Sequence, residues 1–337
     1  MRILKPNEID TQKMRGGLDL KPPKPTDYRL GGISGITRKV LVKDGHWLSY
    51  LPIYELQRNS IMDVFGCVSF ADNNVDEILH KQLYGNEVNF NDRFLVVGSG
   101  TNPDVGNSPF DVAEWKRKNG VVFGEEKWPL MENMTKSEYY NNFVVPPELL
   151  KEGKQSLFTY DFNYELGECG LKGQAAYFIY TQNMLNNLQY SPVACSVYGQ
   201  YTLDGDGYVA TPNTNKVTHQ IAVVDYEKDK CWWVFDSESM ALVKFNWNYS
   251  FQFPVLKYLK KKNMQLYKKN GQSGICLKTY GEDTLLAFPD TLTWKTYTGG
   301  RKFDEVGGQY VAEWPYPIVG HFGIIKDVGA TLPEIEE

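Results

Sequence analysis

The chain is poor in histidine, in paired cysteines, in basic clusters and in long apolar runs, and each shortage closes off a class of protein. Five cysteines (Cys67, Cys169, Cys195, Cys231 and Cys276) are scattered through 337 residues with no C-x-x-C spacing. An odd, dispersed set excludes a disulfide framework and a cysteine zinc site, and suits a reducing compartment. The opening Met1–Pro6 lacks the apolar core of a signal peptide, and no segment approaches the roughly 20 apolar residues that cross a bilayer. The net charge is -5. A broad nucleic-acid surface needs clustered Lys and Arg against phosphates, and the two local groups, Lys260–Lys262 and Lys268–Lys269, suit a solvated face. The expectation is a soluble, cytoplasmic protein with no nucleic-acid or membrane partner and no cofactor or metal.

What is present is globular material, with 42% hydrophobic and 14% aromatic residues, enough for a large domain and a smaller module. Residues 1–38 carry Gly16-Gly17, Lys21-Pro22-Pro23-Lys24-Pro25 and Gly31-Gly32 with little apolar periodicity, so an extended arm is expected. A domain over 39–260 follows, and 261–337 reads as a small β-rich module. Apolar residues at Cys67, Phe70, Ala71, Val75, Ile78 and Leu79 have helical spacing with one buried stripe, in a helix opening behind Gly66. A second helix is expected over Asp111–Lys118, strand from Ser156 to Tyr164, and helix from Gly173 to Leu188. Strands follow at Val193–Tyr198, Val217–Tyr226, Cys231–Phe235 and Leu242–Trp247. Helices early and strands late give an α+β fold with a cleft between its halves.

Cys67 falls in the first turn of its helix, where unpaired N–H groups and the helix dipole favour thiolate over thiol. A nucleophile needs a base. His80 lies about 20 Å down the same helix, too far to serve. His46 sits in the polar turn Lys43-Asp44-Gly45-His46. His219 opens the strand over 217–226, and the turn Glu227-Lys228-Asp229-Lys230 reverses the chain into Cys231–Asp236. Opposed residues of a hairpin keep a constant index sum, which sets His219 against positions 236 to 239 and makes Asp236 a direct or diagonal neighbour. That supplies a base with an acid to orient it. His321 and Asp327 lie along one strand about 20 Å apart, so they cannot form such a pair.

With these residues the chain resembles the papain-like cysteine peptidases from about Trp47 to Trp247. Gly66-Cys67-Val68-Ser69-Phe70-Ala71 is similar to the family's nucleophile motif. Gly106-Asn107-Ser108-Pro109-Phe110, with the helix after it, resembles the wall that binds substrate backbone. Ser191-Pro192-Val193-Ala194, the histidine strand Asn215–Tyr226 and Val234-Phe235-Asp236-Ser237 complete five matches in order. The resemblance implies a helical half with a central nucleophile helix packed on an antiparallel β-rich half. It also implies a Cys67, His219, Asp236 triad, a Gln57 oxyanion donor, and substrate contacts at Gly106, Asn107, Ser196 and Thr218.

Three departures accompany it. Asp236 replaces the usual Asn. Glu238 replaces a shielding Trp, which predicts a wetter triad. Gln57 lies ten residues before Cys67 rather than six, so an inserted turn at Asn59–Asp63 must restore its position. Val64 and Asp104 stand where one of the family's disulfides would lie. The arm is too short and unpatterned for the usual inhibitory propeptide, and the tail faintly resembles modules of bacterial surface and phage proteins. The function implied is an endopeptidase acting on a protein or peptide substrate. Expected targets include viral structural proteins met through the arm, or the Gly-Gly-bearing arm itself, in host cytoplasm or virion if a bacteriophage encodes it. The alternatives are a peptidoglycan peptidase and a non-enzymatic virion component on the same fold.

Overall fold

The computed structural model describes residues 2–21, 38–52, 56–166, 181–212, 217–239 and 241–261, and beyond these a set of backbone strands between 265 and 326. The chain divides into two compact units, Met1–Lys260 and Lys261–Glu337.

In the first unit, β1 (Gly17–Leu18) precedes α1 (Cys67–Tyr84), α2 (Asp92–Gly98), β2 (Gly106–Asn107), α3 (Pro109–Asn119), α4 (Lys136–Tyr140) and α5 (Pro147–Thr159). Then come β3 (Tyr160–Leu166), α6 (Thr181–Leu188), β4 (Val193–Tyr198), β5 (Thr202–Leu203), β6 (Val209–Ala210), β7 (Val217–Glu227), β8 (Cys231–Asp236), β9 (Ala241–Asn246) and β10 (Gln252–Lys261). The eight strands β3 to β10 form one sheet in the order β3-β10-β4-β7-β8-β9-β6-β5. Its centre, β10-β4-β7-β8-β9, is antiparallel. The result is α+β, with α1 packed on β7 and α3. Residues 156–159 close a helix rather than open a strand, because Ser156 sits on the buried face of α5 and its hydroxyl accepts from the Val121 N–H (2.9 Å). The helix expected to begin at Gly173 is described only from Thr181; its earlier part lies outside the described residues.

Helix α1 starts at Cys67 behind Gly66 and stops at Gly85, whose φ of +76° suits a glycine C-cap. It is buried on every side from Cys67 to His80, not along one stripe. The polar face is affordable because partners meet it. Lys116 Nζ lies 2.8 Å from Asp72 and 2.6 Å from Asp76, and Lys257 Nζ lies 2.7 Å from Asp72. Asn73 donates to Asp92 (2.8 Å), and Glu77 accepts from the Phe90 N–H (2.6 Å). Two cations from α3 and β10 therefore balance two carboxylates inside the core.

The first residues, expected to form an extended arm, run along this unit. Ile9 and Leu18 are buried, and the Leu4 N–H donates to the Leu242 carbonyl (3.0 Å). The arm has no core of its own, so it borrows the domain's surface and backbone groups. In the second unit, β11 (Gln265–Lys269), β12 (Gln272–Tyr280), β13 (Asp283–Phe288) and β14 (Thr293–Trp294) form an antiparallel sheet that β17 (Gly323–Lys326) joins beside β13; β15 (Tyr297–Thr298) and β16 (Arg301–Lys302) make a separate pair.

Candidate active site

The hairpin β7-β8 pairs Ala222 with Phe235, a register that makes Asp236 a diagonal neighbour of His219. His219 Nε2 and Asp236 Oδ1 are 2.8 Å apart, both side chains wholly buried. His219 Nδ1 makes no hydrogen bond. The second Asp236 oxygen accepts from Ser239 Oγ (2.7 Å) and Tyr201 Oη (3.2 Å), and Arg15 Nε stands 3.9 Å away. Burial disfavours the Asp236 charge, but His219, Arg15 and Ser239 outweigh it and hold the carboxyl below its ordinary range. The backbone N–H of Gln220, the residue after His219, is directed at the Cys67 sulfur.

Cys67 differs from expectation in its ionisation. Burial pushes the thiol well above its usual range, and the carboxylates of Asp63 and Asp236 add to this; the Gln220 and Val68 N–H groups oppose them without prevailing. The helix-start argument holds for a wetted sulfur, whereas this one has no exposed surface. What covers it is the arm. The Arg15 N–H donates to the Gly199 carbonyl (3.1 Å), Thr218 Oγ1 donates to the Arg15 carbonyl (2.7 Å), and Met14 bridges Gln200. Beyond the sulfur, β1 pairs in parallel with β2, and the Asp19 N–H donates to the Asn107 carbonyl (2.9 Å).

Glycine is required where the arm passes closest. Gly17 has φ +111°, and a Cβ there would stand 2.6 Å from the Phe65 carbonyl oxygen and 3.0 Å from Cys67 Sγ. Gly106, at φ +103°, would place a Cβ 1.9 Å from the Gly17 carbonyl carbon. The arm thus meets β2 through main-chain contacts.

The inserted turn before Cys67 is present. Arg58 and Asp63 form a bridge, the Val64 N–H donates to the Gln57 carbonyl (3.0 Å), and Asn59 Oδ1 accepts from the N–H groups of Ile61 and Met62. Gln57 is consequently buried opposite Val64, with Nε2 donating to Asp63 (3.3 Å) and Oε1 accepting from Ser237 Oγ (2.8 Å). Asn107 spends its side chain on Ser99, Thr101 and the Ser108 N–H. Ser196 is buried in β4 opposite Gln220.

The wetter triad expected from Glu238 is not found. Glu238 is 1% exposed and Asp236 fully buried, because Lys13 of the arm and Arg58 (3.2 Å) both contact the Glu238 carboxylate. Sequence reasoning missed Lys13, Arg15, Tyr201 and Ser239. The one available signal was an isolated arginine directly before Gly16-Gly17, two residues without side chains that can lie on a thiol. Of the other histidines, His80 bonds the Asn86 carbonyl (3.2 Å) and Tyr160 (3.1 Å). His46 contacts Asp225 and stacks on Tyr226, about 20 Å along β7 from His219. His321 and Asp327 lie outside the described residues. Among the described residues no group of three or more His, Cys, Asp or Glu could hold a metal, and no helix is long and apolar enough to cross a membrane.

No protein-family model and no curated protein matches the sequence. Among solved structures, the chain is similar to digestive procathepsin L 3 of the Tenebrio molitor larval midgut, at 13% identity and TM-score 0.46, over 72% of this chain and 75% of that one. A Carica candamarcensis cysteine protease gives 13% identity and TM-score 0.44 over 63% and 96% of the two chains. A recombinant stem bromelain precursor gives 13% and 0.42 over 77% and 80%.

Proposed function

We propose that the first unit is a cysteine peptidase kept latent by its own N-terminal arm. The observation that carries this reading is the buried His219–Asp236 pair, with the His219 Nδ1 free of hydrogen bonds, the N–H of the adjoining Gln220 directed at the Cys67 sulfur, and the arm paired with β2. Once the arm lifts, water reaches the first turn of α1 and the thiol can ionise. The Cys67 proton passes to His219, and the sulfur attacks the peptide carbonyl carbon. The C–N bond breaks as His219 returns the proton to the leaving amine, and water deprotonated by His219 then hydrolyses the thioester. Asp236 holds the imidazole in the orientation this exchange needs. The Cys67 N–H and Gln57 Nε2 are the donors for the oxyanion, which requires Gln57 to exchange its bond to Asp63 for one to the substrate.

A second reading, a structural component on the same fold, draws on the buried neutral thiol and the internally bonded Gln57. The two separate in one assay. Full-length protein carrying Gly17→Val, which forces the arm off, is incubated with a quenched-fluorescence peptide library beside Gly17→Val/Cys67→Ser. Hydrolysis by the first and none by the second supports the peptidase; no hydrolysis by either, with the thiol demonstrably open to alkylation, supports the structural component.

A further inference from the structure

The arm docks through charge as well as backbone. Met14 is 64% exposed while Arg15 is 3% exposed, the alternation of an extended segment whose residues 13 and 15 face the domain. The Arg15 guanidinium lies over the Tyr201 ring at 3.8 Å, with Nη1 donating to the Gly199 carbonyl (3.4 Å) and Nε near Asp236. Lys13 Nζ contacts Glu238 Oε1, and the other oxygen, Oε2, is buried with no hydrogen-bond partner. Glu238 is thus a buried carboxylate whose acceptor capacity is only half used, beside a triad whose Asp236 is anionic. When Lys13 and Arg15 withdraw, Glu238 and Asp236 each lose a cation, Glu238 keeping Arg58 and Asp236 keeping His219. A desolvated carboxylate that loses its cation is costly until another replaces it.

We propose that Gly199, Tyr201 and Glu238 form a subsite for basic side chains of the peptide substrate, on the side of Cys67 away from the Gly106-Asn107 wall, and that Lys13 and Arg15 occupy it in the resting protein. The inference rests on the peptidase reading and adds the substrate class: peptides with Lys or Arg at one or both of two alternate positions. Alternate spacing matters because residues i and i+2 of an extended peptide fall on one face. Arginine is favoured over lysine at the Tyr201 position, where a planar guanidinium stacks. The arm and a basic substrate compete for the same groups, so basic peptides also open the site.

The probe is a fluorescein-labelled synthetic peptide of residues 8–20, compared with the same peptide carrying norleucine at positions 13 and 15. Binding is read by fluorescence anisotropy on full-length Gly17→Val protein. A full-length Lys13→Ala/Arg15→Ala protein serves as a second opened form that leaves Gly17 intact. The basic peptide should bind roughly tenfold to a hundredfold tighter than the norleucine peptide, the range for hydrogen bonds to charged groups. Glu238→Gln should remove most of that difference, and 0.5 M NaCl should narrow it. Equal binding of the two peptides, a difference that Glu238→Gln leaves intact, or no binding of either overturns the subsite. Selective hydrolysis of substrates with alternate basic residues supports both readings. Selective binding with no hydrolysis of any basic peptide leaves the subsite standing and overturns the peptidase.

Discussion

Replacing Gly17 by alanine should uncover Cys67 while leaving the domain folded. Alanine at φ +111° is strained, at a cost of order 1–3 kcal/mol for a backbone region that L residues avoid. Its Cβ also meets the Phe65 carbonyl oxygen at 2.6 Å, a backbone atom at the entrance to α1 that cannot swing aside. Relief comes by lifting the arm, which is held by backbone bonds, by Lys13 and Arg15 and by a few apolar side chains such as Ile9 and Leu18. The strain alone raises the open fraction roughly 5- to 150-fold. If the thiol reacts only when the arm is off, iodoacetamide labelling of Cys67 at pH 7 follows that fraction and rises by the same factor. Labelling is followed by peptide mapping, so that Cys195 and Cys231, both buried in strands, act as internal controls. Gly205→Ala is the matched control, because a Cβ there meets nothing within 4 Å. A folded Gly17→Ala protein labelled at the parent rate would refute the idea that this contact protects the sulfur.

Three further outcomes are expected. Lys116→Met leaves Asp72 and Asp76 in the core with Lys257 as their sole cation among the described residues, and should lower stability in urea by about 3–5 kcal/mol; a loss under 1 kcal/mol would show that the cluster is not a balanced charge set. Glu125 is pushed up to about 9 by burial and by the nearby Asp92 charge. A carboxyl raised in the folded state contributes stability that is complete below its unfolded value of 4.5 and is lost as pH climbs towards 9. The urea midpoint should therefore fall between pH 5 and 9, and Glu125→Gln should flatten the fall; an unchanged slope would contradict the assignment. In the arm-opened protein, Asp236→Asn should keep more peptide hydrolysis than His219→Ala, since an amide oxygen can accept from the imidazole N–H whereas nothing replaces the ring; equal loss would mean that the Asp236 charge itself is needed.

The β-rich half was legible because its signals are local. β4 spans the expected Val193–Tyr198, and the turn 227–230 fixes a register from which the His219–Asp236 contact follows by arithmetic. The start of α1 was legible from Gly66 and the apolar spacing behind it. Two features were not. Spacing shows only one buried stripe on α1 because the partners of its polar residues, Lys116 and Lys257, lie 40 and 185 residues away in sequence and no local pattern announces them. The docking of the extended arm is not announced by any periodicity, since a segment held by backbone bonds, two glycines and two cations needs none. That docking also reverses the expectations for Glu238 and for the Cys67 thiol, since both had been judged without the arm's cover.

The most direct test of the central claim is the adduct formed by a peptidyl epoxide on full-length Gly17→Val protein at pH 7, located by mass spectrometry. The account predicts a single adduct, on Cys67, formed at least about tenfold more slowly in the parent and in Gly17→Val/His219→Ala, because the first is covered and the second lacks the base that creates the thiolate. An adduct spread over Cys67, Cys195 and Cys231, or one formed on Cys67 at an undiminished rate without His219, would contradict it.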